Sequence, residues 1–223
     1  MAELVFFTGP MDCGKSTLAL QVAHTQSLHG REGMLFTGPD RSGAAVISSR
    51  IGLSKSATGV SEHLDLWAHL VRDLTHGHTV DFIICDEAQF YRSEQIDQLA
   101  RIVDELHIDV FCFGIMADFR TKLFPGSKRL VELCDRMETL QVSPLCWCGQ
   151  RATHNARVVN GEMIVEGSQV VVGDTGADKD AVHYEVLCRA HHRLRAPRSV
   201  ANSTLSPEAL PDDPGPALTA DGS

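Results

Sequence analysis

Gly9-Pro10-Met11-Asp12-Cys13-Gly14-Lys15-Ser16, followed by Thr17, is the stretch that decides the fold of this chain. It fits the phosphate-loop pattern G-x-x-x-x-G-K-[ST]. Its flanks suit that pattern. Leu4-Val5-Phe6-Phe7 is a short apolar run with strand character, and Leu18-Ala19-Leu20-Gln21-Val22-Ala23 begins a helical pattern. Strand, glycine loop and helix N-terminus in that order aim consecutive main-chain N–H groups at an anion. In this pattern Lys15 reaches the β- and γ-phosphates of a nucleotide, and the Ser16 hydroxyl ligates Mg²⁺.

Outward from the loop, short apolar runs alternate with longer amphipathic stretches. Strand candidates are Leu4 to Phe7, Gly33 to Thr37, Phe82 to Cys85, Val110 to Phe113 and Glu138 to Val142. Helix patterns cover Ser16 to His29, Asp65 to Thr75, Ser93 to Leu106 and Ser127 to Cys134. Ser93 is placed to cap a helix whose Ile96, Leu99, Ile102, Val103 and Leu106 share one face. The alternation predicts an α/β fold, a P-loop NTPase-type parallel sheet flanked by helices, over residues 1–142. Ligands of such sheets bind outside the carboxyl ends of the strands. Residues 143–195 change character, with cysteine pairs, short β-rich runs and glycine turns, and predict a small β module. Residues 196–223 carry Pro197, Pro207, Pro211, Pro214 and Pro216 and few large apolar groups. They cannot bury enough surface to offset their ordering entropy, which predicts a disordered tail.

Composition narrows the partners. The 223 residues carry a formal net charge of −9, which argues against an electrostatic grip on nucleic acid or an acidic membrane. No window has the length and apolarity of a membrane span. Met1-Ala2-Glu3 lacks the basic start of a signal peptide. Seven scattered cysteines suit a reducing cytoplasm better than a disulfide framework, and Cys85 and Cys112 fall in apolar runs where buried thiols are expected.

Val80-Asp81-Phe82-Ile83-Ile84-Cys85 runs into Asp86-Glu87-Ala88-Gln89-Phe90. An apolar strand ending in an acid, downstream of a phosphate loop, is a Walker B element, and Asp86 would bind Mg²⁺ through water. Glu87, one residue on, can accept a proton from an attacking hydroxyl or water. Cys146-x-Cys148 and Cys188-x-x-His191 offer soft ligands in two close pairs, a set that suits tetrahedral Zn²⁺, with His192 a competing ligand. A small module has little core of its own, and four protein ligands would make the metal structural.

These residues carry a family resemblance. G-P-M-x-x-G-K-[ST] with D-E-A-Q-F resembles the thymidine kinases of the cytosolic vertebrate and bacterial type. Asp40-Arg41 with Ser48-Ser49-Arg50-Ile51-Gly52 is similar to the family's D-R…S-S-R-I-G region. Gly114 to Arg120 with Leu123 to Ser127 resembles its G-L-x-x-D-F-R…L-F-x-G-S segment, and Cys146-Trp147-Cys148-Gly149 with Cys188 and His191 resembles the zinc pairs of its bacterial branch. The motifs run from about residue 3 to 193 and stop before the tail.

The resemblance implies transfer of the ATP γ-phosphoryl group to the thymidine 5′-hydroxyl, giving thymidine monophosphate and ADP. ATP phosphates would lie on Gly9, Pro10, Met11, Asp12, Cys13, Gly14, Lys15, Ser16 and Thr17, with Asp86, Glu87, Ala88 and Gln89 beside them. Ser16 and Asp86 would hold Mg²⁺, Glu87 would take the 5′-hydroxyl proton, and Arg41 would sit near the transferring phosphate. Phe90 and Phe119 would wall the nucleoside. Met11, Ile115 and Tyr184 would surround the thymine methyl, with Asn155 nearby. A lasso loop containing Val171, Val172 and Gly173 would close over the base through main-chain groups. The resemblance places the zinc histidine at His191, and implies a cytoplasmic homotetramer inhibited by thymidine triphosphate. The competing reading, a P-loop ATPase with a zinc nucleic-acid-binding module, would share the sheet and the metal, and the −9 charge counts against it.

Overall fold

Strand β1 (Leu4–Thr8) runs between two parallel neighbours, and the phosphate loop leaves its carboxyl end for helix α1 (Lys15–Leu28). The computed structural model describes residues 1–38, 45–169 and 182–199. The next elements are β2 (Gly33–Thr37), β3 (Val46–Ser48), β4 (Ser54–Ser56), β5 (Thr58–Gly59), α2 (Leu66–Thr75) and β6 (Phe82–Asp86). A 3-10 turn (Ala88–Phe90), α3 (Ser93–Leu106), β7 (Asp109–Gly114), α4 (Pro125–Leu133) and β8 (Arg136–Thr139) follow. The six-stranded sheet has the order β5-β2-β6-β7-β1-β8, and every pairing in it is parallel.

Alternation along each strand feeds two cores. Phe82 and Ile84 of β6 pack with Ala19, Leu20 and Ala23 of α1. Ile83 and Cys85 face the other way, toward Leu66 and Leu70 of α2 and Ile96, Leu99 and Ile102 of α3. A sheet covered on both faces accounts for the unbroken apolar runs. Cys85 and Cys112 are buried at paired positions of β6 and β7.

Most element ends lie within a residue of expectation, and the differences with a clear cause are these. The strand expected over 138–142 is β8, at Arg136–Thr139, because it pairs with β1 and that partner ends at Thr8. Helix α4 starts at Pro125 rather than Ser127, since proline's fixed φ and missing N–H suit the first turn. Ser93 is not the cap of α3. Arg92 occupies that position, and its N–H donates to Gln95 Oε1 at 3.0 Å.

Beyond Val142 lies a separate three-stranded antiparallel sheet, β10-β9-β11, made of β9 (His154–Val159), β10 (Glu162–Ile164) and β11 (Val182–Leu187). Helix α5 (Arg189–Arg193) follows it. Its core is small: Cys146, Ala152, Ala156, Met163, Leu187 and Cys188. Residues 196–199, assigned by composition to the tail, bond to this module. Trp147 Nε1 donates to Ala196 O at 3.0 Å, Arg198 N to Glu185 Oε2 at 3.0 Å and Ser199 Oγ to Gly161 O at 2.6 Å. The rest of the expected tail, 200–223, lies outside the described residues.

Candidate active site

The carboxyl ends of β1, β6 and β7 open into one cavity of about 890 Å³, near the upper end of the range for small-molecule sites. The phosphate loop forms its floor. Gly14 has φ 82°, a conformation that costs glycine little, and it turns the loop into α1. Lys15 is the first helical residue, and its Nζ donates to Pro10 O at 2.8 Å. Asp12 Oδ1 pairs with Arg50 at 2.7 Å, joining the β3–β4 hairpin to the loop. Arg50 is 80% exposed in this pair, so the bridge contributes only about 0.2–1 kcal/mol.

Asp86 ends β6, only 4% exposed beside the loop. Burial first, then the Glu87 charge, pushes its carboxyl up to about 6; the Ser16 hydroxyl, the Glu87 N–H and Lys15 pull the other way. Ser16 and Asp86 thus present adjacent oxygen donors, the hard-ligand chemistry a magnesium ion takes. Glu87 sits at φ 53°, a strained setting for a non-glycine residue. Its neighbour Gly38 has no room for a side chain, because a Cβ there would meet Glu87 Cβ at 2.9 Å. Gln89 Nε2 donates to Glu87 Oε2, and Gln89 Oε1 accepts from Ile115 N at 3.2 Å. The carboxylate is therefore aimed by a buried amide rather than left loose in solvent.

The far wall is the 115–119 segment after β7. The buried Asp118 carboxylate accepts from Arg120 N at 2.8 Å and Lys122 N at 2.9 Å, and pairs with the Arg120 guanidinium at 2.7 Å. Arg120 and Arg157 lie 5.6 and 5.5 Å from the Phe119 ring centroid, cation–π distances that fix the ring. Arg120 Nη1 also donates to Gly167 O at 2.8 Å. His192 Nε2 donates to Phe119 O at 2.9 Å.

Of the residues expected here, Met11, Asp12, Gly14, Lys15, Ser16, Thr17, Glu87, Gln89, Phe90, Ile115, Phe119, Asn155 and Tyr184 line the cavity together. Cys13, Asp86 and Ala88 lie buried behind that lining. Arg41, Val171, Val172 and Gly173 lie outside the described residues. Ser48, Ser49, Arg50, Ile51, Asp118, Phe124 and Gln169 also line the cavity and were not expected as site residues. Ser48 to Ile51, Asp118 and Phe124 carried only the signal of membership in family-like motifs, and Gln169 carried none; nothing local says that Arg50 returns to Asp12 from 38 positions downstream.

The cysteine pairs converge. Cys146 Sγ and Cys188 Sγ each lie 3.4 Å from His191 Nδ1, and Cys148 Sγ lies 4.0 Å from Cys188 Sγ. All four ligand atoms fall within 4.8 Å of one another. Tetrahedral bonds of about 2.0–2.3 Å to nitrogen and sulfur put ligand atoms roughly 3.5–3.8 Å apart, so the set fits a zinc ion. His192, the competing ligand, is engaged with Phe119 instead. Trp147 stacks on His191 with centroids 4.0 Å apart.

A parallel sheet with a lysine-bearing phosphate loop after β1 and an acidic pair after β6 defines a P-loop nucleotide-binding protein. The chain belongs to the thymidine kinase family: the family profile described as "Thymidine kinase" matches residues 2–192. It is 61% identical to a thymidine kinase of Cutibacterium acnes over 213 residues, covering 96% of this chain and 98% of that one. It is 59% identical to a thymidine kinase of Streptomyces coelicolor (95% and 98% covered) and 39% identical to one of Lactobacillus johnsonii (86% and 96%). Coverage of 96% carries the likeness past residue 195, beyond the span of the motifs. Among solved structures, the Pif1 helicase of Candida albicans matches at TM-score 0.38 and 15% identity, over 62% of this chain and 36% of that one.

Proposed function

We propose that the chain phosphorylates thymidine with ATP, yielding thymidine monophosphate and ADP. The observation that carries this is one cavity joining a phosphate loop, an aimed carboxylate and an aromatic-walled nucleoside end. Lys15 and the loop N–H groups from Asp12 to Thr17 hold the triphosphate. Glu87 accepts the 5′-hydroxyl proton, with Gln89 holding its other oxygen. Magnesium, held by Ser16 and Asp86, would neutralise charge on the transferring phosphates. Arg41 adds positive charge near the same phosphates. Phe90 and Phe119 wall the nucleoside, Met11, Ile115 and Tyr184 surround the base, and the resemblance assigns main-chain contacts with it to Val171, Val172 and Gly173. An apolar pocket for one methyl discriminates by only about 1–3 kcal/mol, so deoxyuridine is a poorer substrate rather than an excluded one.

Cys146, Cys148, Cys188 and His191 hold a structural zinc that completes the small core of residues 143–195, a unit separate from the kinase lobe of 1–142. Thymidine triphosphate inhibits by placing its base at the nucleoside end and its phosphates on the loop. The assembly is a homotetramer, in keeping with exposed Val131 on α4 and Met137 on the edge strand β8. Among the described residues no helix is long and apolar enough to cross a membrane. None of the seven cysteines is in a disulfide, which suits the cytoplasm.

One assay tests the reading: ATP consumption with thymidine, with single-stranded DNA, and with neither. Thymidine-dependent turnover supports the kinase. Turnover stimulated by DNA alone would replace it with a nucleic-acid-dependent ATPase.

A further inference from the structure

Asn155 stands where the resemblance puts a nucleoside contact, yet both ends of its amide are committed to main chain. Oδ1 accepts from Met11 N at 2.8 Å, and Nδ2 donates to Ala117 O at 3.1 Å. Met11 belongs to the phosphate loop and Ala117 to the far wall. Asn155 belongs to neither. It projects from β9 of the cysteine module, in register with Val186 of β11, and is only 6% exposed.

We propose that Asn155 is a positioning residue for phosphoryl transfer, a clamp that sets the separation between the phosphate loop and the nucleoside wall. The inference rests on the kinase reading above. The two reacting atoms ride on different supports: the γ-phosphorus on the loop, the 5′-oxygen on a nucleoside packed against the 115–119 segment. Reaction requires them in line at about 3–3.5 Å, and a misplacement of about 1 Å costs on the order of 10²-fold. Among the described residues, four side chains bond the main chain of the wall: Gln89 at Ile115 N, Ser127 at Ile115 O, Asn155 at Ala117 O and His192 at Phe119 O. Of those four, Asn155 is the one that also bonds the phosphate loop.

The residue type matters for this role. A carboxamide carries an acceptor and a donor on one short rigid plane. Aspartate offers no donor to Ala117 O, and alanine offers neither group. The clamp also gives the cysteine module a task in catalysis without touching a reacting atom. It commits the loop's Met11 N–H to β9.

The experiment uses a bisubstrate ligand, adenosine and thymidine joined 5′ to 5′ through an oligophosphate chain, with isothermal titration calorimetry on the full-length protein. Affinity of the linked ligand reports how well the two subsites are held at one distance; affinities of thymidine and of a non-hydrolysable ATP analogue report each subsite alone. For Asn155→Ala we expect each separate affinity within about threefold of wild type, an additional loss of about tenfold or more for the linked ligand, and kcat lowered far more than either KM increases. Asn155→Asp, nearly isosteric and able to keep the Met11 bond, serves if the alanine variant does not fold. Its added charge weakens phosphate binding with or without the link, so the additional loss is still readable. A linked-ligand loss no greater than the product of the separate losses overturns the clamp. So does a loss confined to thymidine, which would make Asn155 a nucleoside contact. Wild-type protein that gains nothing from the link would instead overturn the kinase reading itself.

Discussion

Glu87 and Asp86 are adjacent in sequence and opposite in what they need. Glu87 faces the cavity in a strained backbone conformation and is held by Gln89. Glu87→Gln keeps its size and removes the proton acceptor. The expected result is a kcat lowered by about 10²–10⁴-fold with thymidine affinity within a few-fold of wild type. A rate close to wild type would assign the proton to water. Asp86 is the buried partner, and burial pushes its carboxyl up to about 6 from an ordinary 3.8. Between those values the folded chain holds a proton that the unfolded chain has released. Ligand-free stability therefore falls as pH rises from about 4 to about 6, by up to about 3 kcal/mol, and stays reduced above that. Asp86→Asn is never charged. We expect it to be more stable than the ligand-free parent at pH 8 in urea titrations, with the gain vanishing near pH 4, and to lose phosphorylation. A variant equally stable at both pH values would show that the charge is not costly in the fold.

At the scale of elements, the cysteine module is the part least able to stand alone. Its core holds only a few apolar side chains besides two of the ligand cysteines. One equivalent of zinc per chain is expected from metal analysis, and Cys146→Ser with Cys188→Ser should abolish it. The stacking of Trp147 on His191 supplies a second readout, since chelation should change tryptophan emission as the pair separates. Zinc retained by the double variant would mean other ligands. The phosphate loop behaves differently. It is carried by β1, whose Leu4, Val5 and Phe6 are essentially fully buried, so its geometry should survive metal removal better than the module does.

Across the whole molecule, the module is docked on the sheet domain by Asn155 and His192 and closed below by residues 196–199. Truncation after Ser199 should leave zinc content, activity and thermal midpoint within error of the full chain. Truncation after Arg195 removes the bonds from Ala196, Arg198 and Ser199. Exposed hydrogen bonds contribute about 0.5–1.5 kcal/mol each at most, so the midpoint should drop by a few degrees while activity persists. Equal midpoints for the two truncations would make those contacts energetically silent. A change of oligomeric state on size-exclusion chromatography after the shorter cut would assign the segment to assembly.

The sequence by itself determined the parts whose chemistry is local. The phosphate loop needs only its own glycines, its lysine and the strand and helix on either side. The acid pair needs only to end an apolar strand. The metal ligands come as two tight pairs, so each pair could be read without knowing the other's position. Those features located the phosphate end of the cavity and the parallel sheet that carries it. Only the tertiary structure decided what joins them. Asn155 meets Met11 across 144 positions of chain, and His192 meets Phe119 across 73. Neither spacing has a period or a composition that announces it, because such contacts are set by how the second sheet docks on the first. The cap of α3 falls at Arg92 rather than at Ser93, and there Gln95 turns its Oε1 back to Arg92 N while its Nε2 reaches Ser61 O and Leu64 O. Local hydrogen-bonding capacity is written in residue types; the partner that satisfies it is chosen by packing.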